Sequence, residues 1–169
     1  KQLCAEGYYN KAQLQAWYYA DHAAALESIN KAIEAQPEDA DQAKLYAARA
    51  DIRYGGLGEA DAAVEDYHTA YALTDKTAPW YLESAAGILL AQGKTDLAAK
   101  VYQTLYADQK HHPDYLVGEA YVWFYKGADT GAARALTDQA LAADPNLLGA
   151  HYLNALLLRD VEKDPAGAL

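Results

Sequence analysis

Residues 79–109, PWYLESAAGILLAQGKTDLAAKVYQTLYADQ, contain two helical stretches separated by a glycine. Apolar residues recur at intervals of three and four over 79–92 and again over 95–109, as one buried face of a helix requires. Gly93 supplies the left-handed turn that ends the first helix. Neither helix can bury its apolar face alone, so the segment predicts a pair of helices that packs against neighbouring pairs.

Similar segments recur along the chain at a regular spacing. Five alanines mark equivalent places in them, at intervals of 38, 35, 35 and 35 residues: Ala25, Ala63, Ala98, Ala133 and Ala168. A glycine precedes three of these positions (Gly58, Gly93, Gly127), and a further alanine precedes each glycine (Ala50, Ala86, Ala120). The second unit carries one extra residue near Gly55-Gly56, and the fourth unit also has one. A period of roughly 20 to 50 residues is typical of stacked repeats, so the sequence predicts an all-α protein.

The third unit resembles the tetratricopeptide repeat, a helix–turn–helix unit with a degenerate motif of bulky and small residues. Its motif positions are occupied by Leu82, Ala86, Leu89, Gly93, Ala98 and Tyr102. The other units follow the motif less closely, and Thr137 stands in the fourth where an aromatic residue is usual. The resemblance implies an α-solenoid of antiparallel helix pairs, a TPR-like superhelix, in which Tyr67 and Tyr102 belong to the core.

The predicted repeats cover about 21–39 (partial), 43–76, 78–111, 112–146 and 147–169 (truncated). Residues 1–20 lack the arrangement of a small residue followed by glycine, so we interpret them as a helical cap or a degenerate first helix. The paired helices are expected near 40–54 and 58–74, 78–92 and 95–109, 113–126 and 129–143.

The C-terminal end reads as a first helix whose partner has barely begun at Pro165. Tyr152, Leu153, Leu156 and Leu157 would then form an uncovered apolar edge, because a terminal repeat exposes the surface meant for its neighbour. We therefore expect either further repeats in a parent protein or self-association through this C-terminal edge.

Composition and charge exclude several function classes. A formal net charge of −10, from 14 Lys and Arg against 24 Asp and Glu, argues against nucleic-acid binding, which needs a basic surface. No apolar run reaches the roughly 18 residues of a membrane span, so we expect a soluble protein, either cytoplasmic or exported. The single cysteine, Cys4, excludes a disulfide framework. We predict no cofactor and no metal site.

Two apparent chemical motifs have structural explanations. The segment from Gly87 to Thr95 resembles a phosphate-binding loop, but five residues separate its glycines where four are required. The adjacent His111 and His112 would point about 100° apart on a helix, so we interpret them as part of a polar joint between repeats. No catalytic constellation is found, and we predict that the chain is not an enzyme.

In the family, the first helices line a concave groove and the second helices form the outer layer. Carried over unit by unit, the groove also includes Leu90 and Val117, and we expect it to bind a partner through Asp51, Tyr54, Trp80, Glu83, Tyr121, Phe124, Tyr152 and Arg159. The resemblance therefore implies a scaffold or adaptor that binds a peptide segment of another protein, with apolar anchors and basic residues preferred. The alternative is a substrate- or partner-recruiting arm of a larger enzyme, whose catalytic domain lies outside this chain.

Overall fold

A computed structural model describes residues 4–35, 39–107, 112–127 and 129–163, with the side chains of 39–41 and 160–163 left aside. Within these ranges the structure is helical and contains no strand, which confirms the predicted all-α fold class. The helices are α1 (Ala5–Gln13), α2 (His22–Glu34), α3 (Asp39–Asp51), α4 (Ala60–Leu73), α5 (Trp80–Ala91), α6 (Thr95–Leu105), α7 (Pro113–Lys126), α8 (Thr130–Ala143) and α9 (Leu148–Lys163). None of the described helices combines the length and apolar character needed to cross a membrane.

The chain divides into two compact units, Lys1–Ile88 and Leu89–Leu169. In the first unit, α1 packs on α2 and α3 packs on α4. Its two apolar clusters are centred on Ile29 and Ile52 and on Tyr67 and Ile88. In the second unit, α7 packs on α6, α8 and α9, and its apolar clusters include Leu116, Leu153 and Leu157.

The alanines that define the repeat are buried where helices approach each other. Ala25, Ala63, Ala98 and Ala133 have no exposed surface, and Ala168 lies outside the described residues. The matching alanines of the preceding helices are equally buried: Ala12, Ala50, Ala86 and Ala120. A larger side chain would not fit between helices at this distance, since protein cores are close-packed. Tyr67 and Tyr102 are also buried, as predicted.

The extra residue of the second unit is accommodated in a π-helix. The segment Ile52–Leu57 continues α3 with wider turns before Gly58 ends it with φ 72°. A π turn takes up one additional residue without moving the flanking turns out of register. In the fourth unit the extra residue lies in the connection instead, because α8 begins three residues after Gly127, whereas α6 begins two residues after Gly93.

A π-helix also follows α1. The π-helix Leu14–Tyr18 continues α1, at a distance of 38 residues from the second π-helix. Ala20 follows it with φ 54°, the left-handed conformation adopted by Gly58, Gly93 and Gly127 at the equivalent turns. Residues 5–18 are therefore a first helix paired with α2, and an alanine stands where the other units have glycine.

A buried ionic network joins α2, α3 and α4 in the first unit. The Asp66 carboxylate, 3% exposed, accepts hydrogen bonds from Arg49 Nε at 3.0 Å and Nη2 at 2.6 Å, and from Arg53 Nη1 at 2.7 Å. Arg49 Nη1 also donates to Asn30 Oδ1 at 2.9 Å, and its guanidinium lies 4.8 Å from the ring centre of Tyr46. Since a buried charge is tolerated only when it is paired, this network fixes how the first two helix pairs pack.

Two expectations about exposed apolar residues are wrong. Leu90 and Val117 are buried rather than lining a groove. At the C-terminal end, Leu153 and Leu157 pack against Ala120 and Ala133, so the predicted apolar edge does not include them. The helical period explains this result, because residues 153 and 157 lie one turn apart on the face of α9 that meets α7 and α8.

Candidate functional site

In the first unit, Asp51 lies at the end of α3 beside a buried tyrosine of α4. The Tyr67 hydroxyl donates a hydrogen bond to Asp51 Oδ1 at 2.5 Å. Burial raises the pKa of Tyr67, and the Asp51 carboxylate raises that pKa further, because both disfavour the phenolate. Asp51 therefore combines an exposed position with a defined contact to the core.

Trp80 lies at the start of α5. The Ser84 hydroxyl donates to the Trp80 carbonyl oxygen at 3.0 Å and is also within hydrogen-bonding reach of the Tyr67 hydroxyl. Ser84 is one turn after Trp80, so both residues lie on the same face of α5. The Trp80 side chain is 57% exposed and contacts the Tyr81 ring at 5.6 Å between centroids.

The remaining predicted residues of the first unit differ in exposure. Tyr54 lies in the second π-helix and is exposed. Glu83 lies in α5 and is half-buried. We call Asp51, Tyr54, Trp80 and Glu83 together the unit 1 surface; that these four residues act together stays a prediction.

In the second unit, tyrosines of α7 and α9 lie together. The Tyr121 hydroxyl donates to the Gly149 carbonyl oxygen at 3.2 Å, which joins α7 to the first turn of α9. Burial and, to a smaller extent, the nearby hydroxyls of Tyr152 and Tyr125 together raise the pKa of Tyr121 to about 12. Tyr152 is 59% exposed, so it presents its ring to solvent beside the half-buried Tyr121.

Phe124 is half-buried against the apolar cluster of α7, α8 and α9, and its ring meets that of Tyr125 edge to face at 5.4 Å. Arg159 is exposed two turns beyond Tyr152 on α9. We call the face formed by Tyr121, Phe124, Tyr125 and Tyr152 the unit 2 surface, with Arg159 as a proposed member.

Several exposed aromatic residues were not predicted. Trp17, Tyr18 and Tyr19 are exposed at the end of the first π-helix, and the Tyr18 and Tyr19 rings meet edge to face at 4.9 Å. These three residues precede the Gly55–Leu57 segment by 38 residues, the same interval that separates Ala25 from Ala63. That spacing could have predicted from the sequence that they lie at the end of a first helix. Trp123 and Tyr125 are exposed on α7 and belong to different faces of that helix.

Of the adjacent His111 and His112, the structure describes only His112, and this residue has a structural role. His112 is the N-cap of α7, where its Nδ1 accepts a hydrogen bond from the Asp114 backbone N–H at 3.3 Å. Its ring stacks on Tyr106 with 5.2 Å between centroids. His111 lies outside the described residues. Among the side chains that the structure describes, no three His, Cys, Asp or Glu residues form a group that could hold a metal ion.

Comparison with solved structures identifies the fold as that of tetratricopeptide repeat proteins. A tetratricopeptide repeat protein from Parabacteroides merdae superposes with a TM-score of 0.68 at 20% identity, over 90% of this chain and 58% of the other. The chain therefore spans little more than half the length of that protein. YrrB, described as a TPR protein with an unusual peptide-binding site, gives a TM-score of 0.62 at 17% identity, over 89% and 74% of the two chains.

MamA from Desulfovibrio magneticus RS-1, from residue 41 to its end, gives a TM-score of 0.64 at 15% identity, over 97% of this chain and 89% of the other. No model of a known protein family and no curated protein matches the sequence. The structural likeness confirms that the repeat motif was correctly interpreted at the level of the fold.

Proposed function

We propose that the protein is an interaction module whose unit 1 surface and unit 2 surface each bind a peptide segment of another protein. The observation that carries this proposal is the exposure of Trp80 and Tyr152, both on first helices of their pairs, where more than half of each side chain is open to solvent (57% and 59%). Exposed aromatic side chains supply large apolar contact areas at low entropic cost, and they are enriched among the residues that dominate binding energy.

The charge of the protein defines the preferred ligand. Asp51 and Glu83 contribute carboxylates to the unit 1 surface, and the whole chain carries a net charge of −10. A peptide with apolar anchors flanked by Lys or Arg would satisfy both the rings and the carboxylates, and the opposite charges would accelerate its association. The peptide-binding site described for YrrB is consistent with this use of the fold.

A random-peptide library displayed on phage, selected against the whole chain, tests the proposal. We expect enrichment of sequences that combine aromatic or aliphatic residues with Lys or Arg. Synthetic copies of enriched peptides should lose about tenfold or more in affinity with the variant of the surface that they bind, Trp80→Ala for the unit 1 surface or Tyr152→Ala for the unit 2 surface, as measured by calorimetry.

Leu97→Ala is the matched control, because Leu97 is an exposed apolar residue on α6, a second helix. Its affinity for the same peptides should be unchanged. Equal affinities for all four proteins, or selection that enriches no basic and apolar pattern, would contradict the proposed function.

A further inference from the structure

A shallow depression lies between α6 and α7, on the side of α7 opposite to Tyr121 and Phe124. The lining residues of α7 recur at intervals of three and four, which places them on one face of that helix. Residues of α6 form the facing wall. The depression is lined by Ala99, Tyr102, Gln103, Glu119, Val122, Trp123 and Lys126.

A tyrosine one turn earlier on α7 holds the Glu119 carboxylate in place. The Tyr115 hydroxyl donates a hydrogen bond to Glu119 Oε1. Burial and the neighbouring carboxylate raise the pKa of Tyr115 to about 12, so the phenol remains a donor across the physiological range. The carboxylate therefore reaches the depression with its orientation fixed by a neutral partner.

The ammonium group at the other end of the depression already has a carboxylate partner. Lys126 Nζ lies 2.9 Å from Asp96 Oδ1, and this contact lowers the pKa of Asp96. The Glu119 carboxylate is bonded to a hydroxyl that brings no positive charge. Of the two charged groups that line the depression, Glu119 is thus the one whose charge a ligand would complement.

An indole lies beside this carboxylate. Trp123 is 41% exposed and follows Glu119 by four residues, so the two side chains are neighbours on the same face of α7. Gln103 of α6 is exposed across the depression and offers an amide oxygen. A planar cation could stack on the indole while its N–H groups reach the carboxylate and the amide.

We propose that this depression binds the guanidinium group of an arginine side chain of a partner protein. Arginine fits better than lysine because its planar fork can donate to Glu119 and Gln103 while its face lies on Trp123. Anions are disfavoured by the charge of Glu119 and by the net charge of −10. The site is distinct from the unit 1 and unit 2 surfaces, so it does not depend on the proposed function.

The experiment uses the whole chain labelled with ¹⁵N and follows the indole N–H signals of its three tryptophans. The probe is N-acetyl-arginine N-methylamide, which mimics an arginine within a polypeptide. We expect a saturable shift of the Trp123 signal with a dissociation constant in the roughly millimolar range, as suits one side chain. Trp17, which belongs to neither proposed peptide-binding surface, serves as the internal control, and its signal should stay unchanged.

Three comparisons test the chemistry of this binding. The neutral isostere N-acetyl-citrulline N-methylamide should produce no saturable shift, since it lacks the charge. Glu119→Gln keeps an acceptor for Tyr115 but removes the charge, and it should weaken binding about tenfold or more. Glu27→Gln, an exposed position on α2, is the matched control and should bind as the wild type does.

The proposal would be overturned by equal responses to arginine and citrulline, by unchanged binding in Glu119→Gln, or by the absence of a saturable response at Trp123. Free arginine that binds more tightly than the capped form would also overturn it, since the site would then recognise the amino acid rather than a side chain of a partner.

Discussion

The ring of Tyr102 lies directly against the α-carbon of Gly118. A Cβ atom added at Gly118 would come within 2.3 Å of Tyr102 Cδ1 and 2.6 Å of Cγ. This contact brings α6 close to α7, because a buried aromatic ring occupies the space that any other residue at position 118 would need for its own side chain. The small residue and the buried ring are therefore one packing unit.

We expect Gly118→Ala to reduce the free energy of unfolding by about 1–3 kcal/mol, although alanine is the better helix former. Gly87→Ala is the matched control, because Gly87 is also inside a helix and a Cβ added there meets nothing within 4 Å. That variant should be more stable by up to about 1 kcal/mol. Chemical denaturation of both proteins measures the difference, and two variants of equal stability would contradict the packing argument.

Ala20 stores backbone strain at the first turn between helices. Its φ is 54°, and this left-handed conformation costs a residue with a Cβ about 1–2 kcal/mol. Glycine would avoid that cost, but its greater conformational freedom in the unfolded chain would offset part of the gain. We therefore expect Ala20→Gly to raise the unfolding free energy by about 0.5–1 kcal/mol, visible as a higher Tm. Ala23→Gly, in the exposed first turn of α2, should lower it instead. A lower Tm for Ala20→Gly would show that the turn is unstrained.

The strain at Ala20 also explains where the sequence was misleading. The repeat was predictable because small residues must stand wherever helices approach closely, and Ala63, Ala98 and Ala133 do so at a fixed interval. The first helix was harder to assign, because alanine replaces the turn glycine there and Leu14–Tyr18 forms a π-helix. Neither a non-glycine residue with positive φ nor a π turn has a pattern of its own in a single sequence.

The candidate surfaces were predictable only in part, for a similar reason. The helical period and the family motif give the face of a helix, and they placed Trp80 and Tyr152 in exposed positions. They do not give the neighbours of that face, so Leu90 and Val117 were wrongly assigned to the groove. The carboxylate of Asp51 likewise depends on Tyr67, a residue in the next helix that only the fold brings near.

Asp66 should be essential for the stability of the first unit. Its carboxylate accepts hydrogen bonds from both Arg49 and Arg53. Asp66→Asn would remove the negative charge that both guanidinium groups face, and would leave Arg53 with only Glu59, whose carboxylate lies 3.6 Å away. We expect a loss of about 3 kcal/mol, typical of a buried pair that loses one partner. Glu65→Gln, at the exposed neighbouring position on α4, should change stability by less than about 0.5 kcal/mol. If Asp66→Asn instead lowered the unfolding free energy by less than about 1 kcal/mol, water would have to solvate the two guanidinium groups in place of the carboxylate, and the network would not be essential.

Alkaline pH should destabilise the second unit through two tyrosines. The pKa values of Tyr115 and Tyr121 are raised to about 12, against the ordinary tyrosine value of 10.0. Between these values the unfolded chain releases protons that the folded chain retains, so the free energy of unfolding falls as the pH rises. The stabilisation is complete below pH 10 and is lost as the pH approaches 12.

Tyr115→Phe and Tyr121→Phe should each reduce the slope of stability against pH in this range, by at most about 1.4 kcal/mol per pH unit. Absorbance at the tyrosinate band should correspondingly show one fewer late-titrating group in each variant. Tyr18→Phe, at an exposed ring, is the control and should leave the slope unchanged. An unchanged slope in both test variants would mean that other groups cause any alkaline loss.

The last prediction separates the two sides of α9. Leu153 has no exposed surface and packs in the cluster of Ala120, Ala133 and Leu157, whereas the adjacent Tyr152 is largely solvated. Leu153→Ala should therefore cost about 2–4 kcal/mol through the cavity it leaves, and Tyr152→Ala less than about 0.5 kcal/mol. Denaturation curves for the two variants measure this contrast. If Leu153 instead formed an uncovered edge that mediates self-association, its truncation would shift light scattering towards the monomer with little loss of stability, and that result would contradict the packing of α9 described above.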